Sequence, residues 1–517
     1  METPTEASER ERRLPLDRRL VFSILILAFL IRISAAWVWQ SQLEHDQQFF
    51  RFGDSHSYWT MAGRIAAGEP FQYGSSESKI FRAPLYPVVL APFTLLSDGK
   101  LSWSSVMAAR VLGCLLGTWT VWLIIWWSYA LAGNQSALMA GLLATLYPGA
   151  IGMSIFVLSE SISTPLIVLA CMLLWFAASK HSRPNSNPTR GSRPGWLLYI
   201  AAGVAFGLAC LARPSWSLWP LAAMGCTLIA CWVGSPRTLS CRNLLCRTLS
   251  YRTLSCRNIA NNSVDAISPS VDGGRPDSRR VRIANWLSGA SFFVFGALLV
   301  MSPWWVRNYG ITGKWVPTTL QVGASLYDGW HAGASGSSDE NMDFVVPFIR
   351  EQQAEDEILA NQGVPLESTL EWRIDRRLKN AAIAWAIENP SDVVRLGLVK
   401  LRKTWTPFPV AREISNPAVR WSEAFGYIVI ALGGLWGAWR LRRVDGAWLP
   451  LASCLYLAIL HAVFIGSVRY RQPGIVLLCP LAGVGCVCIL KWIFEKVYGT
   501  DSNQSERSDN RAEQAPR

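Results

Sequence analysis

The chain has 517 residues, of which 51% are hydrophobic and only 16% are charged, and its formal net charge is +13. A soluble protein of this length would carry more charge and would alternate it with apolar positions, so the composition excludes an ordinary soluble domain. The basic residues lie mainly in short loops and tails beside apolar blocks, which indicates a role in membrane orientation and not in nucleic-acid binding.

Ten apolar stretches are predicted to cross the membrane, since a span needs about 20 mostly apolar residues. The basic tail 1–19 and the basic segment 234–283 are predicted to be cytoplasmic. The basic loop after Phe176 is also predicted to be cytoplasmic, and residues 40–105 to be external. Only an odd number of the four apolar stretches between residues 84 and 178 can therefore cross the membrane, so we predict that the short, proline-rich stretch Pro84–Leu96 lies flat on the outer surface. The predicted crossings are 20–39, 106–130, 136–152, 155–178, 195–212, 216–233, 284–306, 422–440, 447–466 and 473–494.

The predicted fold class is therefore an all-α polytopic membrane protein with both termini in the cytoplasm. External loops carry interfacial helices, and the low-complexity repeats in 234–283 are expected to be a disordered insertion. The predicted organisation is a cytoplasmic tail 1–19, a transmembrane core 20–306 with a first external loop 40–105, a long external loop 307–421, C-terminal spans 422–494 and a disordered cytoplasmic tail 495–517.

The first external loop contains two charged residues that suggest a site. Asp54 precedes Ser-His-Ser, so it is either a general base that deprotonates a hydroxyl group or the N-cap of a short helix. Arg82 precedes Pro84 and Pro87 at headgroup depth, where a guanidinium either binds a phosphate group bidentately or only extends toward the interface.

Further polar residues are predicted on the same side of the membrane. Glu160 lies near the outer end of a predicted span, where an ionisable residue is costly and is a candidate for function. The positive-inside rule disfavours arginines on the outer side of a membrane. Considered singly, each such arginine is more often an ion-pair partner than a site residue. Together they favour a bound lipid phosphate. The candidate substrate-binding residues are Tyr58, Arg82, Tyr86, Arg213, Arg307, Asn308, His331, Arg469 and Arg471.

These motifs, in this order, resemble the membrane glycosyltransferases with the GT-C fold. The similar group includes the protein O-mannosyltransferases and the transferase that adds aminoarabinose to lipid A. The matching motifs are Asp54-Ser-x-x-Tyr58, Ala66-x-Gly68, Arg82-x-Pro84-x-Tyr-Pro87, Tyr147-Pro148, Ser159-Glu160, Arg213-Pro-Ser215, Pro303-Trp-x-x-Arg307-Asn308-Tyr309 and Arg469-Tyr-Arg471-x-Pro473.

The resemblance implies an enzyme that moves a sugar from a polyprenyl-phosphate carrier to an acceptor, with inversion, on the external or periplasmic side of the plasma (inner) membrane. It implies that Asp54 is the catalytic base, that Arg82 holds the carrier phosphate and that Glu160 is a second acidic residue of the catalytic site. The expected partners are membrane lipid, the lipid-linked donor and a glycan, lipid or protein acceptor. No cluster of metal ligands is recognisable in the sequence, so a divalent metal is not indicated.

Several alternatives stay open. Asp54 is followed by Ser55 where protein mannosyltransferases have Asp-Glu, so a protein acceptor is not favoured over the others. A flippase or transporter for a lipid-linked saccharide would share the charged residues but predicts internal repeats. A polymerase or ligase of the O-antigen type would also use outer arginines, without a need for Asp54.

Overall fold

A computed structural model describes residues 16–75, 77–97, 101–181, 195–225, 278–339, 342–408, 416–442, 444 and 446–512. Within these residues every long regular element is a helix, which confirms the predicted all-α class. Residues 219–225 are helical as well, and short 3₁₀ turns cover Leu95–Ser97 and Pro214–Trp216. The α-helices are α1 (Arg18–His45), α2 (Gly53–Ala66), α3 (Leu85–Thr94), α4 (Trp103–Ala132), α5 (Asn134–Leu146), α6 (Pro148–Ile155), α7 (Glu160–His181), α8 (Gly195–Ala212), α9 (Ser278–Thr312), α10 (Val322–Gly329), α11 (Val345–Asn361), α12 (Leu370–Glu388), α13 (Pro390–Trp405), α14 (Pro417–Arg440), α15 (Leu449–Val463) and α16 (Val468–Ala512).

The described part of the chain contains six helices that are long and apolar enough to span a membrane, so the protein is a multi-pass membrane protein. A seventh span is present if α5 and α6, which meet at a bend of 58°, count as one. Pro148 at the start of α6 explains this break, because proline cannot continue the hydrogen-bond ladder of α5.

The predicted crossings 422–440 and 447–466 correspond to α14 and α15, which are not among these six helices. The predicted crossing 216–233 lies partly outside the described residues, as do most of the tail 1–19 and the loop 234–283. The count of ten crossings therefore stays a prediction. The helix α16 runs from Val468 to Ala512, and the disordered tail from residue 495 stays a prediction.

The predicted interfacial stretch Pro84–Leu96 forms α3 and the 3₁₀ turn that follows it. Tyr86 and Leu90 are buried against α2 and α4, whereas Leu95 and Leu96 are 60% and 64% exposed. The first loop is thus a packed layer that holds Asp54 and Arg82, and not a free segment.

Residues of the long loop 307–421 form hydrogen bonds with the backbone of this layer. The carboxylate of Glu371 accepts the backbone N–H groups of Lys79 and Ile80 at 2.9 and 3.0 Å. Leu320 N–H donates to the carbonyl of Ile80 at 3.0 Å. These bonds fix the backbone two residues before Arg82.

Glycines allow a close helix contact between α14 and α16. A Cβ atom on Gly437 would lie 2.0 Å from the carbonyl oxygen of Leu481, and one on Gly485 would lie 1.9 Å from that of Gly433. Small residues spaced four apart let membrane helices approach until their backbones touch. This contact holds α16 against α14 at Leu481 and Gly485.

We expect Gly437→Ala to destabilise the protein by about 1–3 kcal/mol, because the added methyl group must push α14 and α16 apart. Thermal unfolding in detergent measures the effect as a lower Tm. Gly310→Ala is the matched control, since Gly310 is also helical and has open space at its Cβ position. Equal Tm values for the two variants would contradict the close packing described here.

Candidate functional site

The structure contains a cavity of 2050 Å³. Its walls come from α1, the first loop, α6, α8, α9, the segment after Pro317 and the start of α16. Five of the predicted site residues line it: Asp54, Tyr58, Arg82, Arg213 and Arg469.

Five charged side chains form one continuous ion network at this wall. Arg82 Nη2 lies 2.6 Å from Asp54 Oδ1, and Arg469 Nη2 lies 2.9 Å from Asp54 Oδ2. Arg469 also pairs with Glu160, and Arg213 Nη1 lies 2.8 Å from Glu160 Oε1. The order is Arg82, Asp54, Arg469, Glu160, Arg213. Three guanidinium groups minus two carboxylates give the network a formal charge of +1.

Asp54 is not the N-cap of α2, since Phe52 holds that position and no side chain caps the helix. The Asp54 carboxylate lies in the first helical turn and is directed to Arg82 and Arg469. Burial opposes the ionisation of Asp54, but the two guanidinium charges outweigh it and hold the pKa of its carboxyl well below the usual range. Asp54 is therefore ionised at neutral pH.

Glu160 differs from Asp54 in its surroundings. Its side chain is 0% exposed, whereas 29% of the Asp54 side chain is exposed. Glu160 lies behind the arginines at the first turn of α7 and is not part of the cavity lining. An ionised carboxylate at such a depth needs positive charge beside it, and Arg213 and Arg469 supply that charge.

Aromatic rings and hydroxyl groups surround the network. The Arg82 guanidinium lies over the rings of Tyr58 and Phe81, with 5.2 and 4.8 Å to the centroids. Tyr58 Oη donates to Ser159 Oγ at 3.2 Å, and the buried Tyr86 packs edge-on against Tyr58. These contacts hold the arginines in place.

Four predicted substrate-binding residues are not brought into the network. Arg307 donates to the carbonyl groups of Phe71 and Lys79, and the Asn308 amide donates to the carbonyl of Val316. His331 stacks on Tyr327, with 5.2 Å between the ring centroids. Arg471 is fully buried and pairs with Glu423 and with backbone carbonyls of Thr404 and Thr406. None of these four lines the cavity.

A second cluster of polar side chains in the cavity wall, around Glu423 and Gln472, was not predicted from the sequence. Gln472 Nε2 donates to Glu423 Oε1 at 2.8 Å, and Tyr147 Oη donates to the same oxygen at 2.9 Å. Gln472 and Glu423 both line the cavity. Glu423 is an acidic residue in the predicted span 422–440, so the rule that identified Glu160 could have found it.

Residues 91–235 match the family model described as dolichyl-phosphate-mannose-protein mannosyltransferase. This segment includes Glu160 and Arg213. The match confirms the predicted resemblance to GT-C membrane glycosyltransferases, and the helical fold places the chain among polytopic membrane proteins. No curated protein matches the chain in sequence.

Solved structures of two known proteins are similar to the chain. The archaeal oligosaccharyltransferase AglB from Archaeoglobus fulgidus, in complex with an inhibitory peptide and a dolichol-phosphate, aligns over 94% of this chain with 12% identity and a TM-score of 0.48. This chain spans 52% of the length of that protein. ArnT from Cupriavidus metallidurans bound to undecaprenyl phosphate aligns over 88% of this chain and 77% of its own length, with 13% identity and a TM-score of 0.31.

We expect Glu160→Gln to lower the stability by about 3–5 kcal/mol, because it leaves Arg213 and Arg469 without their buried counter-charge. The expected result for Glu160→Gln is a large drop in Tm, measured in detergent. The control is Glu69→Gln, since Glu69 is exposed and lies 4.0 Å from its partner Arg64. If both variants unfold at the wild-type temperature, Glu160 does not hold the network together.

Proposed function

We propose that this protein is a glycosyltransferase that moves a sugar from a polyprenyl-phosphate carrier to an acceptor hydroxyl group, and that the ion network is its active site. The observation that carries the proposal is the alternation of three arginines and two carboxylates at the wall of a 2050 Å³ cavity. The family match over residues 91–235 supports the same activity.

The charge of the network suits the donor. A sugar linked to a carrier through a phosphodiester brings one negative charge, so donor and network together sum to zero. Arg213 and Arg469 line the cavity with 15% and 16% of their side chains exposed. A guanidinium binds phosphate oxygens bidentately, so these two arginines are proposed as the phosphate ligands, with Arg82 beside them.

The transfer step conserves this charge balance. The acceptor oxygen forms a bond to the anomeric carbon while the bond from that carbon to the phosphate oxygen breaks, and the acceptor proton goes to Asp54. The network then carries +2, from three arginines and Glu160, and the released carrier phosphate carries two negative charges. Because the sum stays at zero, no charge has to enter or leave the site during the step.

Phosphate binding would also prepare the base. Without donor, Asp54 is held by both Arg82 and Arg469. A phosphate that draws hydrogen bonds from Arg469 weakens one of these pairs and makes the Asp54 carboxylate more basic. Glu160, behind the arginines, is proposed to position Arg213 and Arg469 while Asp54 faces the acceptor.

The rest of the cavity fits a donor with a long apolar chain. The apolar side chains that line it include Phe206 of α8 and Phe293, Leu298 and Met301 of α9. Leu298 is 43% exposed, so this part of the wall offers apolar surface to an alkyl chain. A polyprenyl chain lying there would place its phosphate at the arginines.

The proposed location is the plasma (inner) membrane, with the network on the external or periplasmic side. The arginines of the N-terminal tail, such as Arg12 and Arg13, support this orientation through the positive-inside rule. Hexose and pentose donors, and lipid, glycan and protein acceptors, are all compatible with the geometry of the network.

We expect Asp54→Asn to reduce sugar transfer by at least about 100-fold, because the acceptor proton loses its base. The assay uses purified protein, a panel of radiolabelled polyprenyl-phosphate monosaccharides and a membrane-lipid extract as acceptor. The matched control is Asp46→Asn, an exposed acid of the same loop that pairs with Arg51. Full activity of Asp54→Asn would contradict its role as base, and carrier binding without transfer by the wild type would favour a flippase.

The pH dependence of transfer should follow the depressed pKa of Asp54. A base with a lowered pKa stays ionised as the pH falls, so activity is lost only at a pH below the usual range of an aspartate. Arg82→Gln removes one of the charges that lower this pKa, so the acid limb of kcat/KM should move to higher pH. An acid limb at the same pH in wild type and Arg82→Gln would rule out this electrostatic link.

A further inference from the structure

A second polar patch lines the same cavity but belongs to the long loop. It consists of Asp328, Ser337, Ser338 and Lys403, and we call it the Asp328 patch. Asp328 lies in the last turn of α10 and Lys403 in the last turn of α13. None of these residues contributes to the ion network.

The side chains of the patch retain hydrogen-bonding capacity toward the cavity. Asp328 is 3% exposed, and its carboxylate accepts the backbone N–H of Asp339, at 3.3 and 3.2 Å, and the side-chain hydroxyl of Ser338. Lys403 Nζ donates to Ser335 O at 2.8 Å and to Ser337 Oγ at 2.7 Å. A carboxylate accepts more bonds than this, and an ammonium group has a further N–H to donate.

Backbone contacts fix the patch relative to the network. Gly466 N–H donates to the carbonyl of Gly336 at 3.0 Å, and Lys400 Nζ donates to Val463 O at 2.8 Å. A Cβ atom on Gly329 would lie 2.2 Å from the carbonyl oxygen of Phe464. The loop 463–467 that receives these contacts leads directly to Arg469. The patch is therefore preorganised, as a binding site has to be.

The two polar parts of the cavity differ in charge. The network has a formal charge of +1 and suits an anion, whereas Asp328, Lys403 and the adjoining Asp339, which also lines the cavity, sum to −1. Uncharged hydroxyl groups satisfy such a patch, because they donate to a carboxylate and accept from an ammonium group. A molecule with a phosphate at one end and a sugar ring at the other matches both parts.

We propose that the Asp328 patch binds the hydroxyl groups of a sugar ring inside the cavity, with Asp328 accepting hydrogen bonds from them and Lys403 donating to them. This inference rests on the proposed transferase function and adds to it the residues that recognise sugar. The ring belongs either to the donor or to a glycan acceptor, and the two arms of the test separate these sources.

The first arm measures the affinity of the purified protein for bare undecaprenyl phosphate and for undecaprenyl phosphates that carry mannose, glucose, galactose or N-acetylglucosamine. If the patch holds the donor sugar, the wild type prefers at least one sugar-bearing carrier. Asp328→Asn and Lys403→Met should each reduce that preference about tenfold and leave the Kd for the bare carrier unchanged.

The second arm measures transfer to the glycolipid fraction of a membrane extract. If the patch holds the acceptor sugar, the same two variants raise the acceptor KM about tenfold and leave the donor KM unchanged. Two controls test for a general effect of the substitutions. Asp375→Asn removes a partly buried carboxylate that accepts the Gly323 N–H at the other end of α10, and Arg402→Met removes an exposed cation next to Lys403.

A lower Tm of Asp328→Asn with unchanged sugar preference and unchanged acceptor KM in both variants would overturn the proposal and leave Asp328 as a structural residue of the loop. If the wild type binds no carrier phosphate at all, the proposed function itself fails and this inference fails with it. The bare carrier thus reports on the function, and the sugar preference or the acceptor KM reports on the patch.

Discussion

The site depends on the electrostatic requirement of one buried carboxylate. Glu160 is 0% exposed, and an ionised group at that depth is stable only beside positive charge. Its two partners, Arg213 and Arg469, come from the turn after α8 and from the start of α16. The pairing therefore joins three distant parts of the chain and leaves a surplus of guanidinium charge, part of which Asp54 neutralises at the cavity wall.

The same pairing explains how the site can be stable when empty and still bind an anion. Each cavity-facing arginine already has a carboxylate partner, so no charge is left without one. Of the two carboxylates in the network, Asp54 is the one that lines the cavity, with 29% of its side chain exposed. In the proposed function, an incoming phosphate competes with Asp54 for Arg469. Binding and activation of the base are then one event.

The residue types of the site could be predicted from the sequence, but their pairing could not. Ionisable residues are energetically costly near a membrane, and this rule identified each of five site residues separately: Asp54, Arg82, Glu160, Arg213 and Arg469. Arg307 and Arg471 gave the same signal, yet they donate to backbone carbonyls, because the sequence gives the charge of a side chain and not its direction. The Asp328 patch was not predicted, because its lysine comes from α13, far along the chain from Asp328 in α10. The long spans followed from hydropathy, whereas the bend at Pro148 was not predicted, although a proline is a local signal for a helix break.

The most direct test of this account is the affinity of purified Asp54→Asn for undecaprenyl phosphate, compared with wild type and with Asp46→Asn. If the phosphate and the Asp54 carboxylate compete for Arg469, removal of the carboxylate charge frees the arginine and the variant binds the carrier more tightly than wild type. The affinity of Asp46→Asn should equal that of wild type. Weaker binding by Asp54→Asn would contradict the account, because it would mean that Asp54 supports the phosphate site instead of occupying it.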